Sequence, residues 1–193
     1  MASAAETDLT FPDPPLADDV VRLRAWSDRD IGPAHEATRD DPSIMRWTRV
    51  PEGRTEEQLR EAVDGYEPAR LAGESLALVI ADAADDGFLG AISLFGFAWE
   101  DRRAEIGYWV APWARGRGVA RRAVGLLGPW ALRTLELERL ALRADHDNPA
   151  SQRVAERAGF TREGVLRSIE ERKGIRRDLV VYSLIPADLE ARG

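Results

Sequence analysis

The chain contains no cysteine, which removes disulfides, thiolate nucleophiles and cysteine-bound metals together. Lys173 is the only lysine among 27 basic residues, so a Walker A phosphate loop has no candidate lysine. No apolar run approaches the ~20 residues of a membrane span. The first eight residues, MASAAETD, lack the basic start and apolar stretch of a secretory signal. A formal charge of −7 argues against general nucleic-acid binding. Only two histidines are present. One of them lies in Asp145-His146-Asp147, the single string that suggests metal ligands. Three adjacent residues on one loop rarely converge on one ion, so no metal is assigned. These absences predict a cytoplasmic protein that engages neither membrane nor nucleic acid.

What is present is ordinary globular composition: 193 residues, 44% hydrophobic and 32% charged. That length supports one domain with a sizeable core. Residues 1–18 are polar, small and proline-bearing and are read as a loose arm. Residues 19–193 are read as a single domain. Val20–Ala25 alternates like a strand. Ser27-Asp-Arg-Asp30 offers N-cap chemistry for a helix to about Thr38, and Ser43–Thr48 reads as a helical turn. Thr55-Glu-Glu-Gln58 is a capping box for a helix through Leu71. Ser75–Ala81 and Phe88–Phe95 flank the hairpin signal Asp85-Asp-Gly87, and Arg103–Val110 is the next strand. An apolar stripe from Ala120 to Leu135 marks a helix, in which Pro129 predicts a kink. Leu140–Ala144 is a strand. Asn148-Pro149 to Gly159 has helix-cap chemistry at both ends. Two further strands, 160–170 and 178–184, surround Lys173-Gly174. The order mixes strands and helices without strict alternation. It predicts an α+β (mixed α/β) fold: a mainly antiparallel sheet with helices on both faces.

The most informative stretch is Trp109-Val-Ala-Pro-Trp-Ala-Arg-Gly-Arg-Gly-Val-Ala120. A strand runs into a glycine-rich turn that opens a helix, a geometry that offers backbone N–H groups and the positive dipole end to an anion. Arginines 115, 117, 121, 122 and 133 lie between Pro112 and Leu135 with no acid among them. In an acidic chain this local cluster points to bound phosphate. The dinucleotide fingerprint is excluded, because Arg121 stands where its third glycine belongs.

What remains, Arg115-x-x-Gly118-x-Ala120 after a strand, resembles the acyl-coenzyme-A pyrophosphate loop of the GNAT superfamily of N-acetyltransferases. Asn148-Pro-Ala-Ser151 through Gly159-Phe160 is similar to the superfamily's second coenzyme-A segment. With Glu105-Ile-Gly-Tyr-Trp109, Trp47-Thr48, Glu163-Gly164 and Arg176-Arg-Asp178, the chain resembles the Rim-type branch of ribosomal-protein N-terminal acetyltransferases over about residues 20–186. The resemblance implies a GNAT-type sheet of about seven strands, in which two parallel strands, 104–110 and 139–144, splay apart. It implies acetyl-CoA as acyl donor and an amine as acceptor, either a protein N-terminus or a small molecule, reacting by direct attack in a ternary complex. It is compatible with a homodimer.

Site roles follow from the resemblance. Val110 is expected to pair with the pantothenate arm. The pyrophosphate is expected on Arg115, Gly116, Arg117, Gly118, Val119 and Ala120, with Asn148 touching the cofactor as well as capping its helix. Many superfamily members place an acidic tyrosine seven residues after the asparagine, but here Ala155 stands there. Ser151 takes the proton-donor role in the Rim-type pattern, and Glu170 takes that of the base. Glu105 is the rival base or water anchor. Trp47 and Trp109 are candidate walls of the acceptor pocket. Arg157 reads as a solvated helix residue. Ala155 also keeps a second reading alive, a non-catalytic acyl-CoA-binding regulator of the same fold.

Overall fold

The computed structural model describes residues 9–191. The chain opens with strand β1 (Val21–Arg24) and four short helices: α1 (Ile31–Arg39), α2 (Pro42–Trp47), α3 (Glu56–Asp64) and α4 (Tyr66–Leu71). Strands β2 (Ser75–Asp82), β3 (Phe88–Ala98) and β4 (Arg103–Val110) follow as a meander. The remainder is α5 (Val119–Thr134), β5 (Arg139–Asp145), α6 (Pro149–Ala158), β6 (Thr161–Arg172), β7 (Ile175–Leu184) and α7 (Pro186–Glu190).

The strands form one seven-stranded sheet in the order β1-β2-β3-β4-β5-β7-β6. The β4–β5 pair is parallel and its neighbours are antiparallel. Six successive residues of β2, Leu76 to Ala81, are buried. A strand alternates its side chains between two faces, so continuous burial means that both faces are covered. Helix α5 turns its stripe of Val119, Ala123, Val124, Leu127 and Ala131 into the core, giving the apolar face that its three-to-four spacing encodes.

One feature departs from the pattern in the sequence. The helix expected from Thr55 through Leu71 is parted at Gly65. Pro68 has no N–H for the carbonyl four residues back, so one continuous ladder is not available there. Helix α5 runs on through Pro129 to Thr134. Residues 1–8 of the expected arm lie outside the described residues; most of residues 10–19 are exposed, while Leu9 is anchored. Leu9 is fully buried, its N–H reaches the Arg70 carbonyl at 3.3 Å, and Asp18 accepts from Val20 and Val21 N–H at 2.8 Å. A buried leucine anchors what composition alone marked as solvent-facing. Among the described residues no helix is long and apolar enough to cross a membrane.

Candidate active site

The sheet opens at its centre. β4 and β5 pair only at Arg103–Arg139, Ala104–Leu140 and Glu105–Ala141. Beyond Glu105, β4 keeps β3 on one side up to Gly90–Val110 but has no β5 partner on the other. The splayed parallel pair expected of 104–110 and 139–144 is therefore present. A free strand edge offers fixed N–H and C=O groups, which must find partners elsewhere. A cavity of about 960 Å³ fills the gap, and the residues expected at the site line it, with Arg117 as the exception.

The loop after β4 ends in Gly116 (φ +77°) and Gly118 (φ +76°). Both are left-handed, a conformation costly for residues with a Cβ. A Cβ built at either meets nothing within 4 Å, so the loop's surface there is open. The first backbone bond of α5 runs from Arg122 N–H to Gly118 O at 3.1 Å. The preceding N–H groups therefore remain as donors at the positive end of a 16-residue helix.

The arginine cluster is divided by partners from remote parts of the chain. Arg115 makes a bidentate pair with Asp41 at 2.8 and 2.9 Å, Arg117 turns away to Asp82 at 2.9 Å, and Arg122 binds Asp18 and Asp19. The cavity-lining cations with no carboxylate partner among the described residues on this side are Arg121, Arg153 and Arg157. Arg157 is exposed, as expected of a solvated helix face, and also lines the cavity.

Helix α6 begins as its sequence predicts. Asn148 Oδ1 accepts Ser151 N–H at 3.1 Å, Pro149 occupies the first turn, and Gly159 closes the helix at φ +92°. The cap holds Ser151 at the cavity edge, where its Oγ lies 3.0 Å from Tyr108 Oη. Burial pushes the Tyr108 phenol up to about 12, against the lowering effect of the Ser151 hydrogen bond. Tyr108 therefore stays protonated at any working pH and can donate to Ser151 Oγ, which frees the serine proton to point into the cavity. Sequence reasoning quoted Tyr108 only as part of a motif. The signal was the alternation of Glu105-Ile-Gly-Tyr-Trp109, which puts Tyr108 on the face opposite Glu105. Tyr182, the other tyrosine of this half, is fully buried, donates to Glu156 at 3.1 Å and does not line the cavity. Ala155 is likewise buried in the core.

Both candidate bases lie across the sheet from Ser151 and carry arginines. Glu105 makes a bidentate pair with Arg143 at 2.7 and 2.8 Å. Burial at Glu170 pushes its carboxyl up, but hydrogen bonds from Arg172 (3.0 Å) and Arg49 (3.2 Å) outweigh it and hold the group below its ordinary range. Asp145, at the inner end of β5, is 5% exposed and faces Arg172 and Arg177 at 3.7 Å. Its neighbours His146 and Asp147 point outward. Trp47 and Trp109 line the cavity; the Arg46 guanidinium covers the Trp47 ring at 4.3 Å, and Trp109 leans on Phe88.

A splayed parallel pair, a glycine loop on a helix N-terminus and a capped serine beside the gap thus meet at one cavity. A family profile described as "Acetyltransferase (GNAT) domain" matches residues 21–161. The chain belongs to the GNAT family of acetyltransferases, and by class it is an acyl-CoA-dependent N-acyltransferase. The ribosomal-protein-serine acetyltransferase of Escherichia coli (strain K12) is 30% identical over 131 residues, 68% of this chain and 72% of that one. YdaF of Bacillus subtilis (strain 168), which carries a ribosomal N-acetyltransferase name, is 40% identical over 106 residues, 55% of this chain. That match spans 58% of YdaF, less than two thirds of its length. The structure of RimL, a ribosomal L7/L12 α-N-protein acetyltransferase in complex with coenzyme A, superposes with a TM-score of 0.79 at 23% identity, over 87% of this chain and 95% of that one. At that identity the match speaks for the fold.

Proposed function

We propose that the protein transfers an acetyl group from acetyl-CoA to an α-amine, by direct attack while both substrates are bound. The observation that carries this reading is the parting of β4 from β5 after Glu105, because it brings the α5 loop, Ser151 and the carboxylates of the opposite face to one cavity. The fit to the donor rests on the open space beyond Gly116 and Gly118 and on the backbone donors there. Fixed N–H groups bind phosphate without the entropy of ordering long side chains.

In this reading the amine nitrogen attacks the thioester carbonyl carbon, the C–S bond breaks, and the nitrogen's proton leaves through water. Free N–H groups on the β4 edge beyond Glu105 receive the carbonyl oxygen. Ser151, oriented by Tyr108, donates a hydrogen bond to the departing thiolate. Glu170, kept ionised by its two arginines, orders the water that carries the proton away. Its lowered pKa makes it a weak base. A weak base suits an α-amine, whose pKa of about 8 leaves a neutral fraction near neutral pH. It does not suit an ε-amine, whose pKa lies near 10.4. The acceptor is therefore a peptide or amino-acid α-amine, encountered in the cytoplasm.

The test is release of free coenzyme-A thiol from acetyl-CoA with and without an unblocked peptide, followed by the mass of the peptide. Amine-dependent release with acetylated peptide is expected. Tight acetyl-CoA binding with no release for any amine would instead support a non-catalytic regulator.

A further inference from the structure

Side chains alternate along β4, so Glu105, Gly107 and Trp109 face one way and Tyr108 the other. Tyr108 meets Ser151 of α6. Trp109 leans on Phe88, Phe88 on Trp26, and Trp26 on Tyr66, in a chain of tilted ring contacts between 5.6 and 5.7 Å. The cavity therefore has an acceptor half, walled by the first helices and by the ends of β5 and β6.

The ion pairs of that half are unevenly shared. Two of its three carboxylates are hydrogen-bonded to arginines, Glu105 to Arg143 and Glu170 to Arg49 and Arg172; Asp145 stands 3.7 Å from Arg172 and Arg177 with its buried Oδ2 making no hydrogen bond. Arg54 differs. It lines the cavity, and among the described residues no carboxylate pairs with it; its guanidinium makes one hydrogen bond, to the Gln58 carbonyl at 3.2 Å. Its segment is fixed at both ends. His35 Nε2 lies 3.1 Å from the Arg54 carbonyl, and Thr55 next to it caps α3 through Gln58 N–H. Tyr66 lines the same wall, and among the described residues its hydroxyl has no hydrogen-bond partner. Burial raises its pKa, and the nearby Arg54 charge acts the opposite way. A preset cation beside a desolvated phenolic donor, while each acid of this half faces other arginines, leaves one position of unmet positive charge.

We infer that Arg54 and Tyr66 form a subsite for a carboxylate carried by the acceptor. The inference rests on the proposed α-amine transfer and deepens it: the acceptor has a carboxylate beside its amine. The carboxylate comes from an amino acid's own α-carboxyl group or from an acidic side chain near a peptide N-terminus. Arginine with a hydroxyl neighbour suits either, because its planar donors match two carboxylate oxygens.

The experiment compares acceptors that differ only in that group: seryl-glutamyl peptide amide against its seryl-glutaminyl twin, free serine against serinamide, and spermidine as the polycation. At saturating acetyl-CoA the glutamyl peptide or free serine should show a KM about tenfold below its neutral twin, and whichever pair shows it names the source. Arg54→Gln should remove that difference by raising KM about tenfold for the acidic acceptor alone, with kcat and the neutral twin nearly unchanged. Tyr66→Phe should do the same to a smaller degree. Equal KM values for both twins in the wild type, equal effects of Arg54→Gln on both, or preference for spermidine would overturn the subsite. Should no acceptor turn over, the α-amine reading fails and the subsite is still read by calorimetry. N-acetyl-seryl-glutamyl amide should then bind the coenzyme-A complex about tenfold more weakly after Arg54→Gln, and unchanged binding overturns the subsite too.

Discussion

The two sides of β4 are built by different means. On the Tyr108 side the glycine loop, the helix N-terminus and the serine cap are shaped by near neighbours in the chain, with the Tyr108–Ser151 contact added across 43 positions. On the Glu105 side, recognition is assembled from partners far apart in the chain. Arg49 reaches Glu170 across 121 positions, and Lys173 reaches the Met45 carbonyl across 128. Backbone donors keep one geometry whatever side chains surround them, so a site made of them tolerates sequence change around its glycines. Ion-pair networks depend on each member, because removing one partner leaves a charge uncompensated. The donor half should therefore respond to single glycine, serine or tyrosine changes, and the acceptor half should respond cooperatively to its charges.

The comparison can be broken in four places, the largest first. Ser151→Ala should lower kcat by about 10², the low end of acid assistance, because a thiolate is already a fair leaving group. Tyr108→Phe should lower it less, and the double variant should match Ser151→Ala, since the tyrosine acts through the serine. Additive losses in steady-state kinetics would separate the two residues. Gly118→Asp places a Cβ and a carboxylate in the open space of a left-handed position. Calorimetry should show acetyl-CoA affinity at least about tenfold lower, with the fold intact by circular dichroism. Glu170→Gln removes a carboxylate that is already a weak base. It should cost kcat only several-fold and leave acetyl-CoA affinity unchanged, and a collapse of activity would make Glu170 a strong base after all.

The smallest effect is structural. Hydrogen bonds from Arg139 and Ser183 hold the Glu163 carboxyl down at about 2, tying the start of β6 to β5 and β7. A carboxyl depressed in the folded state stabilises above its unfolded pKa, and that contribution is lost as pH falls through the folded value. Glu163→Gln should lower Tm by about 2 °C or less at pH 7. The gap between variant and wild type should close as pH approaches 2. A gap that persists there would mean that packing, not charge, explains it.

This asymmetry also sets how much of the molecule the sequence revealed. The glycine loop and the Asn148 cap were legible because each is a short pattern whose residues act on their neighbours, and the splayed strands followed from the resemblance to the GNAT superfamily. The seven-stranded sheet followed from periodicity and turn residues. The segregation of the arginine cluster was not legible. Asp41 takes Arg115 and Asp82 takes Arg117 over distances that no local window contains. Arg54 and Tyr66 gave no signal either, since a half-buried arginine becomes informative only when its surroundings lack an acid. The packing of Leu9 escaped for a related reason: small and polar neighbours outweighed one large apolar side chain in any average.

The most direct test of the central claim concerns which amine is acetylated. Two peptides of matched composition suffice, one with a free α-amine and no lysine, the other with a blocked N-terminus and one lysine. With acetyl-CoA at pH 7.5, mass spectrometry should find the acetyl group on the α-amine peptide and little on its twin, because paired carboxylates cannot deprotonate an amine near pKa 10. Faster acetylation of the lysine peptide would contradict the account and require a strong base in the acceptor half.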